Sequence, residues 1–338
     1  MMQPIDRRTA LLRLAAIGLV PWYLGGRAFA ADGVREIHQL KPGEFTWHPE
    51  RSPTGAVAVV VSIPEQLAHV YRNGVRIAVS TCSTGKAGHE TPTGVFTVLQ
   101  KDRNHHSSTY GGAPMPNMNR LTWDGVALHA GNLPGYPASH GCVRLPLAFS
   151  ERLWSVTHIG TPVIIAGSHS DPWELTHPGM VLGASAEEEF EHAVAGLEEK
   201  RHPADWGEAQ DYPVTTVIAS TADGKIDLIE NGRVVAEGTL SVQGAAEELG
   251  SHVFILNGAQ AGKKALTWHA ISHHASADAR LPAGPSSEAS VVSRLRSDRS
   301  FQQDMKKRMH PGMVLIVTDT PLHPDRRSGE DFVIMTGA

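Results

Sequence analysis

Short, unbroken apolar runs carry most of the hydrophobic pattern of this chain: Val57-Ala58-Val59-Val60-Val61, Val163-Ile164-Ile165, Val214 to Ile218, and Val314-Leu315-Ile316-Val317. Runs of this length that are rich in Val and Ile read as strands. Asn73-Gly74 and Asn231-Gly232 each fall between apolar segments, and the pair suits the left-handed positions of a two-residue hairpin turn. Helical spacing is found at Leu145, Phe149 and Leu153, after which Gly160 closes the segment, and at Phe190, Val194 and Leu197 within the glutamate-rich stretch 186–201. The pattern predicts a mainly β, β-sandwich-like fold with few helices, the second helix being a spacer.

The second half of the chain repeats the first. Ser62, Asn73-Gly74 and Val95-Phe96 recur at one constant offset as Ser220, Asn231-Gly232 and Val253-Phe254, which chance rarely preserves through three anchors. Leu121-Thr122-Trp123 recurs as Leu266-Thr267-Trp268, His129-Ala130 as His274-Ala275, and His158 with Gly160 as His310 with Gly312. Residues 211–338 are therefore expected to be a second copy of the same fold, reached through a helical linker over 169–210. No cysteine follows Cys142. Aligning Val143-Arg144-Leu145 with Ser293-Arg294-Leu295 puts Val292 opposite Cys142, so the second copy is expected to be degenerate, serving to pack on the first, to limit access to its cleft or to bind glycan. Ser276 to Ser290, rich in Ala, Ser, Pro and Gly, reads as a flexible loop. His177-Pro178-Gly179-Met180-Val181-Leu182 recurs letter for letter as residues 310–315, the closing strand of the second copy, and its first occurrence reads as an extra strand or a relic.

Composition narrows the compartment and the partners. Arg7-Arg8 precede an apolar stretch from Leu11 to Leu24, and Ala28-Phe29-Ala30 offers a small-x-small cleavage site, so residues 1–30 read as an export signal compatible with the twin-arginine type. The mature chain would begin near Ala31 in the periplasm, with no later segment apolar enough to span a membrane. With 30 basic and 35 acidic residues, a formal charge of −5 and no basic cluster interleaved with aromatics, nothing points to nucleic acid. The densest histidine groups are His105-His106 and His269, His273, His274. His269 and His273 have a spacing that holds zinc on a helix, yet they align with a strand and no Glu follows in metalloprotease order, so neither a metal nor another cofactor is expected.

The chemistry gathers in Ser139-His140-Gly141-Cys142-Val143-Arg144, with His129 thirteen positions upstream of the cysteine. A thiolate, not a thiol, attacks carbonyl carbon, and an imidazole that takes the proton is its usual activator; His129 and His140 are both candidates. Gly141 lets the backbone turn tightly and bring amide N–H groups to a carbonyl oxygen, as an oxyanion hole requires. Arg144 offers a two-pronged site for a carboxylate. The helical spacing after Pro146 puts Cys142 just ahead of a helix N-terminus, where the dipole favours a thiolate. Cys82 reads as a packed free thiol, and the polar stretch 102–120, present only in the first copy, reads as a solvated loop that by position could cover the cleft.

These residues carry a resemblance. His129-Ala130 followed by Ser139-His140-Gly141-Cys142-Val143-Arg144 is similar to the active-site signature of the L,D-transpeptidase (YkuD-type) catalytic domain family, which crosslinks peptidoglycan. Gly85-Lys86-Ala87-Gly88-His89-Glu90-Thr91-Pro92-Thr93-Gly94 resembles that family's Gly-Lys…Thr-Pro-Thr-Gly segment, and Gly160-Thr161-Pro162-Val163-Ile164-Ile165 its closing strand, within an expected catalytic domain over 31–168. The resemblance implies that Cys142 attacks the carbonyl of the diamino acid at stem-peptide position three, releasing the terminal D-alanine and leaving a thioester. His129 would be the base, oriented by the Ala130 carbonyl, while His140, Ser139, Gly141 and Arg144 would shape the substrate site. An amine acceptor, from another stem peptide, a lipoprotein lysine or a D-amino acid, would resolve the thioester. Water in its place would make an L,D-carboxypeptidase, and a chain without the reaction would be a peptidoglycan-binding module; intact Cys142, His129 and Arg144 argue against the latter.

Overall fold

The computed structural model describes residues 37, 39–178, 181–183, 187–200, 202, 212–244, 248–259, 265–281 and 285–322. The expected export signal lies outside the described residues, as does part of the expected linker.

In the first half, β1 (Phe45–Trp47), β2 (Val57–Ser62), β3 (Leu67–Arg72), β4 (Val75–Thr81) and β5 (Gly94–Thr97) precede β6 (Gln100–His106), β7 (Pro114–Arg120), β8 (Ala127–Ala130), β9 (Val143–Leu145), helix α1 (Leu147–Val156) and β10 (Pro162–Ala166). Six strands form one sheet in the order β1-β4-β3-β2-β10-β5, and β6-β7-β8-β9 form another. Asn73 and Gly74 make the β3–β4 turn with φ of 49° and 71°, backbone values that Asn and Gly tolerate best. Every residue of β2 and β10 is buried, because both faces of the six-stranded sheet are covered, and this is why their sequences are continuous apolar runs rather than alternations. One face, through Val59, Val61, Val70 and Phe96, packs on Leu128 of β8, Leu145 of β9 and Phe149 and Leu153 of α1. That layer fixes the strands that carry the cysteine loop.

The second half contains β11 (Ser168–His169), β12 (Trp173–Pro178), α2 (Glu187–Glu198), β13 (Thr215–Ser220), β14 (Lys225–Glu230), β15 (Arg233–Val242), β16 (Ser251–Ala259), β17 (Ala265–His274), α3 (Pro285–Arg294), β18 (Leu295–Ser297), α4 (Arg299–Arg308) and β19 (Val314–Thr318). Its central order β15-β14-β13-β19-β16 reproduces β4-β3-β2-β10-β5, with the β13–β19 pair parallel like β2–β10. The fold is thus mainly β, and the second half holds a sheet with the same central strand order. Ile218, Val253, Ile271 and Ile316 of that sheet pack against Val60, Tyr71, Val95 and Ile164, the remaining face of the first. Phe190 and Leu197 of α2, Val292 of α3 and Phe301 of α4 cover its outer face.

The copies diverge where the first has its cleft. Leu121 to Val126 form a turn ahead of β8, but Leu266-Thr267-Trp268 lie inside β17, which runs on through the main sheet to His274. His274 is exposed and pairs with Ser168, unlike buried His129. Ser83 pairs antiparallel with Arg144 in the first copy, and Ser241 pairs antiparallel with Arg296 in the second. This register makes Arg294, rather than Val292, the counterpart of Cys142. Val292 is buried inside α3, a helix that begins at Pro285 within the stretch read as a flexible loop. On the other flank of β18, the Ser297 N–H donates to the Leu182 carbonyl at 2.7 Å, so the segment after β12 occupies the place that β8 holds beside β9. The repeated hexapeptide therefore begins in an extra strand paired with β17 and ends by filling the position of the missing β8.

Candidate active site

Backbone hydrogen bonds stitch the glycine-lysine segment to the cysteine loop. The Thr84 carbonyl accepts from the N–H groups of Ala138 (2.9 Å) and Ser139 (3.0 Å), and the Lys86 N–H donates to the Ser139 carbonyl at 3.1 Å. A Cβ on Gly85 would stand 2.0 Å from the His89 carbonyl oxygen, so only glycine permits this approach. Ser139 is buried; its Oγ accepts the Gly141 N–H at 3.2 Å and donates to the Cys142 carbonyl. Gly141, at φ +108°, turns the chain into β9.

Parallel pairing of β8 with β9 sets His129 opposite Arg144. Residues paired in this way project to the same side of a sheet, and both line the cleft that holds Cys142. The His129 Nδ1 lies 2.7 Å from the Ala130 carbonyl. A carbonyl only accepts, so Nδ1 carries the proton and Nε2 is the basic nitrogen. Burial, with the Arg144 charge added to it, lowers the His129 pKa to about 4 and keeps the ring neutral at pH 7. Burial likewise pushes the Cys142 thiol up, against the opposing influence of the Ala127 backbone hydrogen bond and of the Arg144 and Arg120 charges. The resting pair is therefore thiol and neutral imidazole, and the S–H donates to the Gly125 carbonyl at 3.2 Å. His140, the other candidate base, is exposed at the rim.

Cys142 does not cap a helix. The strand β9 and Pro146 separate it from α1, whose first residue is Leu147, so the apolar spacing that begins at Leu145 is half strand and half helix. The polar stretch 102–120 is likewise no loop: it belongs to the β6–β7 hairpin, and Tyr110, Pro114, Met115 and Pro116 line the wall of the cleft. The cleft volume is about 630 Å³. Lys101 Nζ fastens the hairpin by donating to the carbonyls of Trp154 (2.7 Å) and Thr157 (2.6 Å), groups left open at the end of α1. Asn117 Nδ2 donates to Ser150 Oγ at 3.0 Å, and Thr157 Oγ1 to Asn119 Oδ1 at 2.9 Å. At the hairpin tip the Tyr110 ring sits 4.9 Å from that of His140.

Sequence reading missed Tyr110, Met115, Asn132 and Gly125, none of which belongs to a motif. Gly131, which follows the Ala130 carbonyl, has a packing reason: a Cβ there would meet the Arg144 side-chain stem at 2.9 Å. Cys82 is buried and its thiol is pushed up to about 12 by burial; both cysteines are free. His105 and His106 are engaged within the hairpin, by Asp102 and by the Asn104 carbonyl. Among the described residues no group of three or more His, Cys, Asp or Glu side chains is arranged to hold a metal ion, and no helix is long and apolar enough to cross a membrane.

Residues 56–165 match the family model of the YkuD L,D-transpeptidase catalytic domain. No curated protein matches the chain. Solved structures similar to it include an L,D-transpeptidase from Mycobacterium tuberculosis H37Rv at 28% identity and TM-score 0.32, covering 33% of this chain and 57% of that one. The L,D-transpeptidase (residues 123-326) from Xylanimonas cellulosilytica DSM 15894 is 29% identical with a TM-score of 0.30, covering 33% and 61%. L,D-transpeptidase 3 from Mycobacterium tuberculosis in complex with a faropenem-derived adduct is 28% identical with a TM-score of 0.31, covering 33% and 60%. The chain therefore spans less than two thirds of the length of each of these.

Proposed function

We propose, from the match of residues 56–165 to the L,D-transpeptidase catalytic domain family, that this chain is a cysteine acyltransferase acting on peptidoglycan stem peptides in the periplasm. One observation carries the reading: His129 is buried with its Nδ1 tied to the Ala130 carbonyl, which leaves Nε2 as the proton acceptor in the cleft that Cys142 shares. In the first step Sγ attacks the carbonyl of the third stem residue while its proton passes to His129 Nε2. The Gly141 amide is committed to Ser139 Oγ, so the Cys142 N–H is the donor for the tetrahedral oxyanion. Collapse breaks the bond to the terminal D-alanine, whose amine leaves with the proton from His129, and a thioester remains. An acceptor amine then attacks the thioester, gives its proton to His129 and frees Cys142. The residues lining the cleft are neutral or basic, which suits a stem peptide that brings its own carboxylates to Arg144. The catalytic unit is assigned to 31–168 and the degenerate copy, after the linker 169–210, to 211–338, where Arg294 in place of a thiol has no nucleophile to offer.

Mass spectrometry of the purified full chain with a disaccharide tetrapeptide, with and without a diamino acceptor, tests this. The expected products are free D-alanine, an acyl-enzyme at Cys142 and, with acceptor, a crosslinked dimer. Tripeptide alone in the presence of acceptor would move the activity to an L,D-carboxypeptidase, and an unchanged tetrapeptide would remove the enzyme. Arg144→Lys is expected to lower kcat/KM by about 10- to 100-fold, the worth of a charge-assisted hydrogen bond lost with the two-pronged geometry; steady-state kinetics on the tetrapeptide checks it.

A further inference from the structure

Resting on the acyl-transfer reading above, we infer that Thr91 is a positioning residue whose hydroxyl aims the Cys142 N–H at the developing oxyanion. Thr91 is buried, and its Oγ1 makes two hydrogen bonds: it accepts the Gly85 N–H at 2.8 Å and donates to the Gly141 carbonyl at 2.9 Å. The Gly141 carbonyl and the Cys142 N–H belong to one planar trans peptide and point in opposite directions. Holding the carbonyl therefore holds the amide.

Gly141 has no side chain to fix that plane, and its φ of +108° lies where only glycine moves freely. On its N-terminal side Ser139 Oγ takes the Gly141 N–H, but that bond belongs to the preceding peptide and leaves rotation of the next one open. The Thr91 hydroxyl supplies the missing restraint. It is itself held from behind by Gly85, which no other residue can replace because of the 2.0 Å approach to the His89 carbonyl. One oxygen, acting as acceptor and donor, thereby ties Gly85 to the Gly141–Cys142 peptide, beyond the backbone bonds that join the same segments at Ala138 and Ser139. An oxyanion donor contributes only if it is preorganised before charge develops.

The test separates reactions that need an oxyanion from one that does not. Thr91→Val keeps the shape of the side chain and removes both hydrogen bonds; Thr91→Ser keeps them. Release of D-alanine from the disaccharide tetrapeptide is measured alongside alkylation of Cys142 by iodoacetamide, a displacement at saturated carbon in which no oxyanion forms. For Thr91→Val, kcat is expected to fall by about 10- to 100-fold, below the full loss of an oxyanion donor, with KM and the alkylation rate within about twofold of native. Thr91→Ser is expected to restore kcat to within about threefold of native. Equal kcat in Thr91→Val and native protein overturns the inference and leaves the reaction standing, as does a parallel fall in alkylation, which would make Thr91 a general support of the loop. A native protein that alkylates normally but releases no D-alanine overturns the reaction itself and the inference with it.

Discussion

Cys142→Ala is expected to abolish D-alanine release and thioester formation and to leave the fold intact, since the lost sulfur lies at the cleft wall, where it donates to the Gly125 carbonyl at 3.2 Å and packs against Met115, Met118 and Ala127. The size of the effect follows from covalent catalysis: without sulfur there is no acyl carrier, and neither His129 nor Arg144 can replace it. The resemblance to the family supplies a second readout, the addition of a carbapenem's mass to the native chain and its absence from the variant. His129→Gln separates base from nucleophile. It should slow acylation by roughly 10²- to 10⁴-fold, the range for loss of a general base, yet leave the thiol open to iodoacetamide at alkaline pH. Because burial pushes the thiol up and holds the imidazole near pKa 4, alkylation of the resting native protein should rise with pH only above the ordinary thiol range. A thiol that alkylates at full rate at pH 6 would mean a preformed thiolate–imidazolium pair and would reject this account, as would retained D-alanine release by Cys142→Ala.

How far the fold was legible depended on which faces of each element are buried. β2, β10, β13 and β19 stood out in sequence because both of their faces are covered, and the Asn-Gly turns because left-handed backbone leaves few choices. The β6–β7 hairpin was hidden for the opposite reason. β6 is a polar edge strand, Gln-Lys-Asp-Arg-Asn-His-His, and β7 carries Pro114 and Pro116, residues that remove ladder donors and argue against a strand. Similarity of letters misled the alignment of the two copies: Val-Arg-Leu and Ser-Arg-Leu matched, but the Ser83–Arg144 and Ser241–Arg296 pairings put the true register two residues away. In the site, Cys142, His129 and Arg144 could be read because their chemistry is carried by residue type. The contacts of Thr91 with the Gly141 carbonyl and of Tyr110 with His140 could not, since each is made across a long sequence separation and exists only once the sheets have packed.

Lowering the pH from 7 to 4.5 should cost the folded chain a large share of its stability, through histidines buried at the junction of the two sheets. His69 and Tyr71 project from the same face of β3, and the His169 ring lies 5.3 Å from that of His69. His269 and His273 flank Ile271 on the junction face of β17. Nε2 of His69 faces the Glu65 carboxylate at 3.6 Å, whereas both ring nitrogens of His269 and Nε2 of His273 are buried without a hydrogen-bond partner among the described residues. Burial lowers His169 and His269 to about 4 and His273 to about 3. Neighbouring rings add to it: His69 acts on His169, His202 on His269, and His252, His274 and His169 on His273, while Glu65 and Asp171 oppose the shift at His169. An unfolded chain takes up these protons near pH 6.5 and the folded chain does not, so stability is complete above 6.5 and falls as the pH drops toward 4. Each of the two most buried rings, His269 and His273, is worth on the order of 3 kcal/mol over that window, against a total of about 5–15 kcal/mol for a folded protein. The carboxylates Glu65 and Asp298, both held at about 2, act in the same direction but only below about pH 4. Urea unfolding at pH 7, 5.5 and 4.5 checks the sign and the window, and His269→Leu, which removes a ring that donates and accepts nothing, should flatten the decline without lowering the midpoint at pH 7. A native midpoint that stays constant from pH 7 to 4.5 would show that these rings are already solvated, and that the two sheets are not packed as a dry junction.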